Sequence, residues 1–147
     1  MRSLTAQLNP PVLEQLGFFP AIEWLSEEMR KTYQLEVELD DDAKLKHLDS
    51  LAASILFRAV RELLINVARH AKVKSARIVL RCADDQLTVT VTDQGSGMVA
   101  ASSSRSAAGL GLATIKERVT YIGGSFQLKS QRNRGTTAVI QVPVEQS

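Results

Sequence analysis

The sequence predicts an α/β (α+β) two-layer sandwich: a mixed, largely antiparallel sheet with about three helices on one face. Three observations predict it. Apolar residues recur at steps of three and four through 12–32, 50–71 and 110–122, as amphipathic helices require. Apolar–polar alternation marks a short strand at 35–39 and two more over 76–92, and two further strands finish the chain. The resulting order is helix, strand, helix, strand, strand, helix, strand, strand. It lacks the regular alternation of a doubly wound parallel sheet.

Each element follows from local chemistry. Leu4 to Leu8 has helical spacing and stops at Asn9-Pro10-Pro11, because proline cannot continue a helix interior. Pro11 suits the first turn of a new helix. Val12, Leu16, Phe19, Ile22, Leu25 and Met29 form the next apolar stripe, with a break in its first half at Gly17 and Pro20. Leu35, Val37 and Leu39 alternate with Glu36 and Glu38 as a short strand, which Asp40 to Asp42 close before a charged loop. A long helix spans about Ser50 to Ala71, with Leu56, Val60, Leu63 and Val67 inward. Ala76, Ile78, Leu80 and Cys82 share one face of a strand, Asp84-Asp85 turn the chain, and Leu87, Val89 and Val91 face the same way on the return. Residues 98–108, small and polar, predict a mobile loop. A helix from about Leu110 to Ile122 ends at Gly123-Gly124. Strands near Phe126–Ser130 and Thr136–Val142, joined by a turn at 133–135, complete the chain.

Composition narrows the function. The chain has 147 residues, 44% hydrophobic and 23% charged, enough for a core without staples. A net charge of +2 with no basic stripe argues against nucleic-acid binding. The single cysteine, Cys82, excludes a disulfide framework and a cysteine zinc site. No apolar run approaches the ~20 residues of a membrane span, and the N-terminus has no signal-peptide apolar block. A soluble cytoplasmic domain is expected.

Four groups of residues suggest chemistry. Glu62, Asn66 and His70 lie four apart and form one row on the long helix, beside its apolar stripe. A solvated helix flank is the plain alternative. Period two places Asp93 on the inward face of its strand, where an ionised carboxylate needs a donor. Gly95 and Gly97 follow at once and leave room for a flat heterocycle bearing an amino group, although an aspartate capping its own turn reads equally well. Gly109-Leu110-Gly111-Leu112 opens a helix, and helix N-termini receive phosphate; the preceding loop could close as a lid. Thr136 faces inward after Gly135, as a binding hydroxyl or as an ordinary strand residue.

In this order the four groups resemble the ATP-binding domain of sensor histidine kinases, within the wider family shared with DNA gyrase B, mismatch-repair ATPases and the large heat-shock chaperones. Residues 61–71 (RELLINVARHA) look like the family's N box, Asp93-Gln94-Gly95-Ser96-Gly97 like its first glycine box, Gly109-Leu110-Gly111-Leu112 like its second and Gly135-Thr136-Thr137 like its closing strand. The Glu-x-x-x-Asn-x-x-x-His spacing is similar to the nitrate-sensor-like branch, and residues 8–25 are similar to the junction after a dimerisation domain. No phenylalanine box is visible between the glycine boxes, and the loop there is short.

The resemblance implies a Bergerat-type ATP-binding fold over 17–147, with 1–16 as the end of a linker or dimerisation helix. It implies ATP and Mg²⁺ as ligands. Asn66 would hold Mg²⁺, and Glu62 would orient metal-bound water or act as a base. Asp93 would accept from the adenine amino group, with Thr136 acting through water. Gly95 and Gly97 would shape the pocket, the Gly109–Leu112 stretch would lie under the phosphates, and Arg69 and His70 would sit near phosphates or ribose. The γ-phosphoryl group would pass to a histidine on a separate dimerisation domain, then to a response regulator. His47, in the charged loop, reads as solvated. The piece itself is expected to be monomeric, without membrane contact, and unable to phosphorylate itself, in a parent that is cytoplasmic or anchored in the inner membrane. Two alternatives use the same fold: a stand-alone serine kinase of the anti-sigma-factor type, and a nucleotide-binding module without kinase activity. The N-terminal junction argues against the first, and the intact boxes against the second.

Overall fold

The computed structural model describes residues 10–41, 48–70, 75–93, 105–131 and 135–144. Helix α1 (Pro11–Leu16) starts on proline and stops at Gly17, whose φ of +101° is open chiefly to glycine. Helix α2 (Phe18–Tyr33) follows at once and carries Pro20 in its first turn, where no helical N–H is lost. The break thus falls at Gly17 alone. Gln34, left-handed at φ 58°, closes α2 by donating its N–H to the Arg30 carbonyl at 2.9 Å.

Strand β1 (Glu36–Asp41) runs two residues beyond the expected Leu39. Its acidic end continues the ladder because Asp40 pairs with Arg77 and Arg81 on the neighbouring strand, both at 3.1 Å. Helix α3 (Ser50–His70) is capped by Asp49, whose Oδ2 accepts the Leu51 and Ala52 N–H groups at 3.1 and 3.3 Å. Strands β2 (Ser75–Ala83) and β3 (Gln86–Asp93) form a hairpin through Asp84 and Asp85, both left-handed at φ 54° and 59°.

Helix α4 (Arg105–Tyr121) corrects the expected boundary. Residues 105–108 are helical rather than loop, since Ala107 and Ala108 are strong helix formers and extend the helix upstream of the glycines. Its end is as expected: Gly123 is left-handed at φ 84°, and the Gly124 N–H reaches the Val119 carbonyl at 2.9 Å. Strands β4 (Ser125–Gln131) and β5 (Gly135–Pro143) finish the described chain.

The five strands lie in the order β1-β2-β3-β5-β4. Only β1 and β2 are parallel, and α3 makes the crossover between them, as a parallel pair needs. The other three pairings are antiparallel. Ile78, Leu80, Leu87, Val89 and Ile140 are fully buried and share the core with Ile22 and Leu25 of α2 and Leu56, Val60 and Leu64 of α3. The mixed sheet with its helices matches the expected fold class. Leu13 of α1 is buried in this core too. The expected helix at Leu4–Leu8, and His47, lie outside the described residues.

Candidate functional site

The site is built on α3, on the ends of β3 and β5, and on the first half of α4. Burial of Leu56, Val60, Leu63 and Val67 fixes the rotation of α3, so the adjoining row of Glu62 and Asn66 turns toward the protein's interior edge. Asn66 is 4% exposed, and its Nδ2 has no hydrogen-bond partner among the described residues. A buried amide left unpaired costs about 1–3 kcal/mol, which a bound oxygen would relieve. Glu62, one turn earlier, is half-buried. Arg69 is exposed, and His70 is the last residue of the helix.

Asp93 closes β3 and is 1% exposed. Its register partners are Ala76 on β2 and Thr136 on β5, and Thr136 is 4% exposed. Two polar side chains with Asn66 are therefore the only buried polar groups among the described residues. Gly135 holds the Asp93 corner. Its φ is +91°, and a Cβ there would overlap the Asp93 carbonyl oxygen and lie 3.3 Å from Oδ1. Only glycine lets β5 pass this close. The sequence marks Gly135 as the residue before Thr136, but the contact depends on strand pairing and is invisible in it.

Gly109-Leu110-Gly111-Leu112 occupies the second turn of α4, not its first. The free N–H groups of the helix start belong to residues before the glycines. Leu112 is half-buried against the core. Gly95 and Gly97 lie outside the described residues. Helix α3 packs on β2, β3 and α4, so the row that carries Asn66 belongs to the element that joins the sheet to α4. A cleft of about 510 Å³ lined by Leu13, Phe18, Phe19 and Leu48, among others, includes none of these residues.

The residues fit a Mg²⁺-nucleotide. Among the described residues no cluster of His, Cys, Asp and Glu could cage a metal. Mg²⁺ does not need one: it keeps several waters and takes one or two protein oxygens plus phosphates. Turning the Asn66 amide offers either its hard oxygen to a cation or its N–H to a phosphate oxygen. Among the described residues no helix is long and apolar enough to cross a membrane.

Residues 52–146 match the family described as histidine kinase-, DNA gyrase B-, and HSP90-like ATPase. The sensor histidine kinase LiaS of Bacillus subtilis is 35% identical over 150 residues, covering 98% of this chain and 39% of that protein. The oxygen sensor histidine kinase NreB of Staphylococcus carnosus is 27% identical over 144 residues, covering 98% of this chain and 41% of its own length. The chain thus spans about two fifths of the curated relatives it matches. Among solved structures, the histidine kinase domain of the Erythrobacter litoralis EL346 blue-light activated histidine kinase superposes with a TM-score of 0.65 at 21% identity, covering 84% of this chain and 61% of that one.

Proposed function

Since the chain belongs to the family of histidine kinase-, DNA gyrase B- and HSP90-like ATPases, we propose that it is the ATP-binding catalytic domain of a two-component sensor histidine kinase. It binds Mg-ATP and donates the γ-phosphoryl group to a histidine on a separate dimerisation domain, for relay to a response regulator. The observation that carries this reading is the buried Asn66 amide with no partner for Nδ2. It shares a helix row with the half-buried Glu62, so a carboxylate and an amide converge along one edge of α3.

The roles follow from donor and acceptor chemistry. Asp93, an acceptor when ionised, receives the adenine amino group at the floor of the pocket, and the Thr136 hydroxyl beside it takes a bridging water. Gly95 and Gly97 leave the nucleotide room. The Gly109–Leu112 stretch lies under the phosphates, and its glycines leave room for a close approach to the helix backbone. Arg69 and His70 lie toward phosphates or ribose. Asn66 would hold Mg²⁺, which when bound neutralises phosphate charge and aligns the γ-phosphoryl group. Glu62 orients a water of that ion or takes the proton from the attacking imidazole. The chain needs only to position and neutralise, since the nucleophile comes from elsewhere.

The test is incubation with γ-labelled ATP, with and without the parent's histidine-bearing helical domain. The chain alone should take no stable label. The helical domain should become labelled in trans, weakly, because the lost tether lowers effective concentration. Stable label on this chain alone, lost on substituting His47 or His70, overturns the division of labour. Failure to bind a fluorescent ATP analogue with Mg²⁺ overturns the whole reading.

A further inference from the structure

The end of α1, the first turn of α2 and the start of α3 border the cleft of about 510 Å³. Its walls are mainly apolar: α1 and α2 contribute Leu13, Leu16, Phe18 and Pro20, and the approach to α3 contributes Leu48 and Ala53. Leu16 lines this groove yet is 67% exposed, so the groove opens to solvent over an apolar lip. Pro20 of α2 and Ala53 of α3 both line it, and four residues on along each helix Trp24 stacks on Phe57, with ring centroids 6.4 Å apart. The two helices therefore leave the groove side by side in the same direction, and the stacked pair extends its apolar floor by one turn. Trp24 keeps 40% of its surface exposed there, while Phe57 is buried.

The rim carries one sign of charge. Residues 10–29 hold Glu14, Glu23, Glu27 and Glu28 and no lysine or arginine, in a chain whose basic residues outnumber its acidic ones by 18 to 16. Glu14 lines the groove, Glu23 stands one turn beyond Pro20, and Glu27 and Glu28 stand one turn beyond Trp24. Of these four, only Glu27 has a cationic partner among the described residues, Arg30 at 2.7 Å. The loop into α3, residues 41–49, adds three aspartates to two lysines. Arg58, which follows Phe57, turns about 100° away from it around α3.

We propose that this groove docks a basic amphipathic helix of a partner protein, with its apolar face over Leu16 and Trp24 and its lysines or arginines toward Glu14 and Glu23. Charge complementarity selects the occupant, since the same carboxylates repel a nucleic acid or an anionic membrane. The dimensions select a helix. From Ser50 to Phe57, α3 offers seven residues of rise, about 10 Å, which is the span of the i to i+7 anchors on a docked helix. The groove includes neither Asn66 nor Asp93, so this inference goes beyond the kinase reading and stands whether or not nucleotide binds.

Trp24 is the single tryptophan of the chain, so its fluorescence reports on the groove directly. The experiment titrates the whole chain with a synthetic helical peptide free of aromatic residues, bearing Leu at i, i+3 and i+7 and Lys on the adjoining positions. Trp24 emission should shift to the blue and saturate. Affinity should fall at least about tenfold when the peptide's Lys residues become Glu, when a central Pro breaks its helix, or when the chain carries Leu16→Ser. Glu14→Lys with Glu23→Lys should reverse the preference, so that the Glu peptide binds better than the Lys peptide. All three substituted side chains are exposed, so the core is untouched. ADP affinity should be the same in every variant. Loss of ADP binding with peptide binding intact would count against the nucleotide reading alone. No emission shift, equal affinity for the Glu or Pro peptide, undiminished binding by Leu16→Ser, or displacement of the peptide by zwitterionic phosphatidylcholine vesicles overturns the proposal.

Discussion

The Asp93 corner makes its strongest claim at Gly135, and Gly135→Ala tests it. Two costs are separable in the structure. The first is conformational: at φ +91° a non-glycine residue is strained, typically by about 1–2 kcal/mol. The second is steric: the new Cβ would overlap the Asp93 carbonyl oxygen and crowd Oδ1 at 3.3 Å. Backbone cannot swing aside as a flexible side chain does, so β3 and β5 must part locally. Gly17→Ala isolates the first cost. Gly17 has φ +101° with open space where its Cβ would stand. That variant should lose about 1–2 kcal/mol, roughly 3–6 °C in melting temperature for a domain of this size. Gly135→Ala should lose at least twice as much. ADP affinity separates the two further: it should fall at least about tenfold in Gly135→Ala, since Asp93, the proposed adenine acceptor, is displaced, and stay unchanged in Gly17→Ala. Thermal melts and ADP titration of both variants provide the comparison. Equal melting shifts would refute the steric argument, and intact ADP binding in the folded Gly135→Ala chain would separate this corner from the nucleotide.

Further outcomes are expected from single residues. Asp93→Asn turns part of an acceptor into a donor, so ATP and ADP affinity should fall together by roughly tenfold to a thousandfold, ~1.4–4 kcal/mol, read by calorimetry; unchanged ADP binding refutes the adenine role. Asn66→Ala should abolish Mg²⁺-dependent nucleotide binding while weak metal-free ADP binding persists, and normal Mg-ATP binding would contradict it. Asp49→Ala removes the cap of α3 and should cost about 0.5–2 kcal/mol in urea melts, largely restored by Asp49→Ser. Asp40 is held below the usual carboxylate range by its hydrogen bond to Arg81 and by Arg77. Its contribution is present above its unfolded value of about 3.9 and is lost as pH falls through the lower folded value. The stability gap between wild type and Asp40→Asn should therefore close in acid, and also in high salt, because the pair is exposed; a gap that widens below pH ~4 would reverse the sign.

What the sequence discloses here is set by the range of the physics involved. Side-chain parity is local, so the inward faces of β2 and β3, and the burial of Asp93 and Thr136, follow from period two alone. The stripe of α3 likewise fixes which row of polar residues lies at its edge. The glycine stop after α4 is readable because a left-handed position penalises every other residue. Boundaries set by propensity are harder. The glycines of α4 read as a helix start, yet the helix begins at Arg105, because two alanines outweigh the glycines that follow. Similarly, Asp40 reads as a strand stop until its arginine partners on β2 are known.

Strand order is the quantity that no local pattern carries, and the site depends on it. β3 lies between its hairpin partner β2 and the last strand of the chain, β5, while β4 is pushed to the edge. Had β5 paired on the outer side of β4, Thr136 would stand two strands away from Asp93, and Gly135 would need no special conformation. The observed order instead places Asp93 opposite Thr136 in an interior pair. It also drives the β5 backbone against the Asp93 carbonyl, which is why a glycine stands one residue before that threonine. Gly135 is thus the local mark of a non-local pairing: a residue whose identity is dictated by a strand more than forty positions away. Chemistry that depends on one element can be read along the chain, whereas chemistry shared between two elements becomes visible only when the fold brings them together.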